Sequence, residues 1–209
     1  MSNITFDAEG KTKTLKEYIE WLRLWCEETS ETKLPRIALI GDSITEGYFR
    51  LVQTALKGVA LVDYLATSYS IDSDIYNTVI RSFVDDSDYT VVHFNYGLHG
   101  YNVDEETYEA RCKALLEYIS QRAKVIVGTS TTVLASDLKT ENLQWKEKIC
   151  VRNECLRKIA EEYALSVDDL NKVSQELLGE NRTSDGVHFS EQGYITLAES
   201  VVKSIKKAL

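Results

Sequence analysis

The sequence predicts an α/β fold: a three-layer α/β/α sandwich in which helices cover both faces of a five-stranded parallel sheet. Short, almost wholly apolar runs such as Ile37-Ala38-Leu39-Ile40 have the composition of strands buried on both faces. Segments with apolar residues at helical spacing alternate with these runs along the chain. The only proline is Pro35, and no linker, repeat or low-complexity tract breaks the alternation.

The elements follow in order. Thr14 and Glu17 read as a capping box that opens a helix over 14–28, with Leu15, Tyr18, Ile19, Leu22 and Cys26 on its apolar face. That helix is the expected core of an N-terminal helical extension, residues 1–33, packed on a domain formed by residues 34–209. After Pro35 comes the first strand, 37–40. A second strand is expected over 59–65, a helix over 72–84 and a third strand over 90–94. A long helix over 104–122 leads to a fourth strand, 124–127, and another over 142–164 leads to a fifth, 166–170. A helix near 172–178, a loop and a closing helix over 190–208 complete the pattern. In sheets of this kind the ligand site lies beyond the carboxyl ends of the strands.

Composition narrows the function. The 209 residues suffice for one full core and little more. The formal net charge of -9, with basic residues scattered among acids, argues against nucleic acid or an anionic membrane as partner. No apolar run approaches the roughly 20 residues that span a bilayer. Residues 1–10 are polar and lack a signal-peptide core, so the expected location is cytoplasmic. Cys26, Cys112, Cys150 and Cys155 form no CxxC pair, which reads as reduced thiols rather than a metal site or a disulfide framework.

Three motifs carry polar chemistry, and each falls after a strand or before the last helix. Gly41-Asp42-Ser43-Ile44-Thr45-Glu46-Gly47 follows the first strand. Gly41 permits a tight turn, and Ser43 then stands at the mouth of a helix, whose free N–H groups favour negative charge. Read alone, the heptad fits a nucleophile or an ordinary cap by Asp42 or Ser43. Ser184-Asp185-Gly186-Val187-His188 sets an acid three residues from an imidazole, the support a serine nucleophile requires. The chain has three histidines. His93-Phe94-Asn95-Tyr96-Gly97-Leu98-His99-Gly100 follows the third strand and offers Asn95, His99 and the backbone near Gly97 as hydrogen-bond donors, with His93 read as a structural strand residue. Thr67 and Ser68 end the second strand, where a backbone N–H is also available.

Together, Gly-Asp-Ser-Ile-Thr at 41–45 and Asp-Gly-Val-His at 185–188 resemble the SGNH, or GDSL-type, hydrolase family over residues 34–209. The resemblance implies a flavodoxin-like sheet, with Ser43 as nucleophile, His188 as general base and Asp185 as its orienting acid. It implies an oxyanion hole built from the Ser43 N–H and two further donors. Where relatives carry a glycine, this chain offers Ser68; where they carry GxND, it offers His99, or Asn95 if the alignment slips. Asp42 and Gly97 take supporting places. No cofactor or metal is required.

The implied reaction is hydrolysis of a short acyl ester, acetyl by preference, on a small molecule or carbohydrate that Tyr48, Phe49, Tyr69, Tyr96 or Tyr101 would flank. An acyltransferase, a lysophospholipase or thioesterase-like enzyme, and a catalytically silent binding domain of the same fold are the alternatives.

Overall fold

The computed structural model describes residues 16–209 and, ahead of them, an antiparallel ladder between Thr5–Phe6 (β1) and Thr12–Lys13 (β2). The chain continues through Leu22–Trp25 (β3), Arg36–Gly41 (β4), Ser43–Ala55 (α1), Leu61–Thr67 (β5), Asp74–Asp85 (α2) and Tyr89–Asn95 (β6). Then come Glu105–Ser120 (α3), Lys124–Gly128 (β7), Leu143–Glu162 (α4), Ser166–Asp168 (β8), Leu170–Gln175 (α5) and Glu191–Ala208 (α6).

The main sheet has six strands in the order β3-β5-β4-β6-β7-β8. Five are parallel, and β3 is antiparallel to β5 at the edge. The parallel five have the flavodoxin-like order, with the topological switch beside the carboxyl ends of β4 and β6.

The expected strands and helices are recovered with small shifts, since burial follows the apolar runs. β4 and β5 are buried along their whole length. Alternate side chains serve two cores: Ile37 and Leu39 pack toward Tyr48 of α1 and Val201 of α6, and Ala38 and Ile40 toward Ile80 of α2 and Leu115 of α3. Burying each such aliphatic side chain stabilises the fold by about 1.5–3 kcal/mol. Asp42, Asp104, Asn142 and Ser190 cap α1, α3, α4 and α6 by accepting backbone N–H groups.

One expected element is replaced. Residues 16–28 form no helix, and β3 lies there as a sixth strand; the Thr14 cap and Leu15 fall outside the described residues. Tertiary hydrogen bonds outweigh the helical spacing. The Trp21 carbonyl accepts from the Ser68 N–H (3.2 Å) and the Thr67 hydroxyl (2.7 Å). The Glu27 carboxylate accepts from the Val62 N–H, and the Glu27 N–H donates to Asp63. These bonds satisfy the edge of β5, which would otherwise carry unpaired backbone groups. Among the described residues no helix is long and apolar enough to cross a membrane.

Candidate active site

The turn out of β4 has room only for glycine at its first position. A Cβ on Gly41 would lie 2.4 Å from the Asn95 carbonyl oxygen and 2.0 Å from the Thr45 hydroxyl oxygen. Asp42 then accepts the Ile44 N–H at 2.9 Å and starts α1. Ser43 is therefore the first helical residue, and its own N–H has no partner within the helix. Asp42 is buried, and burial raises its carboxyl pKa against the opposing charges of His99 and His188.

The loop before α6 brings the second group. The Asp185 carboxylate accepts the Val187 N–H (2.8 Å), the His188 N–H (2.9 Å) and the Thr183 hydroxyl (2.7 Å). Its other oxygen meets His188 Nδ1 at 2.7 Å, and His188 Nε2 meets Ser43 Oγ at 2.8 Å. Because a carboxylate only accepts, Nδ1 carries the proton, and the neutral ring accepts the Ser43 hydroxyl at Nε2. Partial burial raises the Asp185 carboxyl, but the His188 bonds and the Thr183 hydroxyl overcome it and leave the pKa well below the usual carboxylate range.

Two features hold this loop. Gly186 has φ +71°, and a Cβ there would lie 2.3 Å from the Leu134 carbonyl oxygen. Beneath it, buried Arg182 donates to the carbonyls of Leu177, Thr132 and Ser174 and to the Thr132 hydroxyl.

The expected oxyanion donors divide. Ser68 is engaged by the antiparallel edge strand: its N–H donates to the Trp21 carbonyl, and its hydroxyl accepts the Trp21 N–H at 2.8 Å. Asn95 is engaged as well. It is buried, and its amide donates to the carbonyls of Gly128 (3.1 Å) and Thr129 (3.0 Å) at the end of β7. His99 stands in the loop beyond β6, with its ring edge-on to Trp21 at 6.4 Å and its Nδ1 3.0 Å from both Glu17 carboxylate oxygens. No partner for its Nε2 occurs among the described residues. Gly97 holds close packing instead, since a Cβ would meet the Ser130 hydroxyl at 1.9 Å.

Arg152 carried no recognisable signal in sequence, and Glu17 read only as the acidic half of a capping box with Thr14. Arg152, on α4, is fully buried and donates to the carbonyls of Gly97 (2.9 Å), His99 (2.9 Å) and Gly100 (2.6 Å), which fixes the loop bearing His99. Its guanidinium lies over the Tyr108 ring, 4.6 Å from the centroid.

Of the aromatics expected to flank a ligand, Tyr48, Phe49 and Tyr96 are core residues. Tyr69 is partly buried, and Tyr101 is exposed and edge-on to Trp145 at 5.0 Å. His93 is buried and bonds Asp168, a strand residue in the core. Among the described residues no cluster of three His, Cys, Asp or Glu side chains has a metal-binding arrangement.

No protein-family model and no curated protein sequence matches this chain. Solved structures do. An acetyl xylan esterase aligns with 81% of this chain and 99% of its own at 21% identity and a TM-score of 0.68. An acetylxylan esterase from Geobacillus stearothermophilus aligns with 82% of this chain and 94% of its own at 16% identity and a TM-score of 0.67. A lipolytic protein of the G-D-S-L family from Veillonella parvula aligns with 82% of this chain and 98% of its own at 19% identity and a TM-score of 0.65. The fold is that of the SGNH hydrolases. Within it, Ser43 follows β4 and the His99 loop follows β6, so both stand at the switch point.

Proposed function

We propose that this chain is a carboxylic ester hydrolase of the SGNH family, in which Ser43 is the nucleophile, His188 the general base and Asp185 its orienting acid. The observation that carries the reading is the unbroken hydrogen-bonded series Asp185–His188–Ser43 at the first turn of α1. The Ser43 hydroxyl passes its proton to His188 Nε2 and attacks the ester carbonyl. The tetrahedral oxyanion faces the Ser43 N–H, at the positive end of α1, and His99. Collapse expels the alcohol, which takes the proton from His188. Water then gives a proton to His188 and cleaves the acyl-enzyme, releasing the acid and free Ser43.

The substrate in this reading is a short acyl ester, acetyl by preference, on a carbohydrate. Two observations support it: the likeness to acetyl xylan esterases, and the exposed Tyr101 ring, edge-on to a partly buried Trp145, against which a sugar could pack. A fluorophosphonate probe should label Ser43. Ser43→Ala should lower kcat on p-nitrophenyl acetate by about a million-fold. Unchanged turnover by the pure variant would overturn the assignment. Acetylated xylo-oligosaccharides tested against acyl esters of increasing length should favour the acetyl sugars, and a preference for long chains would overturn the substrate class.

A further inference from the structure

The oxyanion site, as built, is short of neutral donors. The Ser68 N–H is bonded to Trp21, and the Asn95 amide is bonded to the end of β7. Loss of one such donor typically costs ~100- to 1000-fold in turnover. Within charge-interaction range of Asp42, the residue before Ser43, is instead a histidine gripped by a carboxylate from the N-terminal segment. We propose that Glu17 is a positioning residue for the oxyanion site: its carboxylate fixes His99 through Nδ1 and keeps Nε2–H as a charged donor to the developing oxyanion. This inference rests on the hydrolase reading above and adds a role for a residue outside the expected machinery.

The chemistry follows from proton placement. Both Glu17 oxygens lie 3.0 Å from His99 Nδ1, and Oε1 also accepts the Gly100 N–H at 3.4 Å. A carboxylate has no proton to give, so Nδ1 must donate. A neutral imidazole has one N–H, so Nε2 carries a proton only when the ring is the imidazolium. A charged donor makes a hydrogen bond roughly twice as strong as a neutral one, which offsets the missing N–H of Ser68.

The groups facing His99 are Glu17 and Glu20 from the N-terminal segment, Asp42 from the cap of α1 and Arg152 from α4, which bonds the His99 carbonyl. Burial lowers the proton affinity of the ring, but Glu17, Asp42 and Glu20 outweigh it and hold the pKa above the ordinary 6.5. Arg152 holds the loop from below, so the ring is fixed by its neighbours on both sides.

The sign of the pH dependence is set by this. The donor is present below the His99 pKa and lost as pH rises through it, so kcat falls on the alkaline side. Glu17→Gln removes the charge and keeps the shape. It should lower the His99 pKa, read by NMR titration, and move the alkaline limb of kcat in the same direction, each by about one unit or more. KM should change little, since the oxyanion exists only past the ground state. His99→Asn supplies a neutral donor and should abolish that limb. Adding Glu17→Gln to it should leave the pH profile as in His99→Asn alone.

The three histidines make the titration assignable, and unmoved His93 and His188 signals show that the variant is folded. A Glu17→Gln protein with an unmoved His99 titration and an unmoved alkaline limb overturns the proposal, while Ser43 still labelled by the fluorophosphonate keeps the hydrolase reading intact. Absence of Ser43 labelling in the wild type would fail the hydrolase reading itself, and the proposal with it.

Discussion

Two sets of aspartate, histidine and serine are joined by hydrogen bonds in this protein, and they differ in which group stands in the middle. At the mouth of α1 the imidazole is central: Asp185 takes one nitrogen of His188, and Ser43 takes the other. Beneath α6 the carboxylate is central: Asp168 receives His93 Nε2 at 3.1 Å on one oxygen and the Ser200 hydroxyl at 2.7 Å on the other. The first histidine is partly exposed and the second is wholly buried. A ring between acid and hydroxyl relays a proton to and from the hydroxyl. A carboxylate between ring and hydroxyl only accepts from both, and neither partner is activated. In the proposed function the same three residue types therefore serve chemistry at one place and core stability at the other, and the order of the bonds decides which.

Substitution of each central aspartate should separate the two roles. Asp185→Asn keeps the size of the side chain and an acceptor for the loop N–H groups but loses the acid that fixes the His188 tautomer. Turnover of p-nitrophenyl acetate should fall by about 10⁴-fold, with thermal unfolding nearly unchanged. A kcat within ten-fold of wild type, on the scale of ~10⁴ expected, would break the comparison.

One side of this contrast was legible in sequence, for physical reasons, whereas Asp168 and Ser200 carried no signal there. Ser43 follows an apolar run and a glycine, and Asp185 and His188 are close enough along the chain for one turn of loop to join them. The fold class was legible because burial on both faces demands continuous apolar strands, as in β4 and β5. The N-terminal segment was not legible. Its spacing imitates a helix, yet Tyr18 is 101% exposed, and the deciding bonds run from Trp21 to Thr67 and Ser68, more than 40 positions away. A separation of 82 positions likewise hid Glu17 as the partner of His99, while Arg152 looked like one more charge on a long helix.

At the buried set the readout changes from rate to stability. Asp168→Ala leaves His93 Nε2 and the Ser200 hydroxyl without their shared partner and should cost about 3 kcal/mol, with little loss of kcat. Burial raises the Asp168 carboxyl, but the bond and charge of His93, with Ser200 and Ser204, leave it below its ordinary 3.8. Such a lowered carboxylate stabilises fully above its unfolded value and loses that contribution as pH falls through the folded one. The gap in denaturation midpoint between wild type and variant should therefore narrow below pH 3.8. A gap that widens there would contradict the role given to Asp168.

The sharpest form of the comparison removes the same atom from both sets. In the proposed mechanism, taking the hydroxyl from Ser43 removes the bond-forming group itself. Taking it from Ser200 removes one of several donors to a carboxylate that retains His93 and Ser204. Ser200→Ala should therefore cost about 1 kcal/mol, the ordinary net worth of one hydrogen bond, seen as a melting shift of roughly 2–4 °C for a domain of this size. Its kcat should stay at the wild-type level, because neither Ser200 nor Asp168 is hydrogen-bonded to Ser43, Asp185 or His188. Calorimetry and an esterase assay on the same preparation would decide it. A Ser200→Ala protein of normal stability but much reduced turnover would mean that the buried set contributes to the chemistry after all.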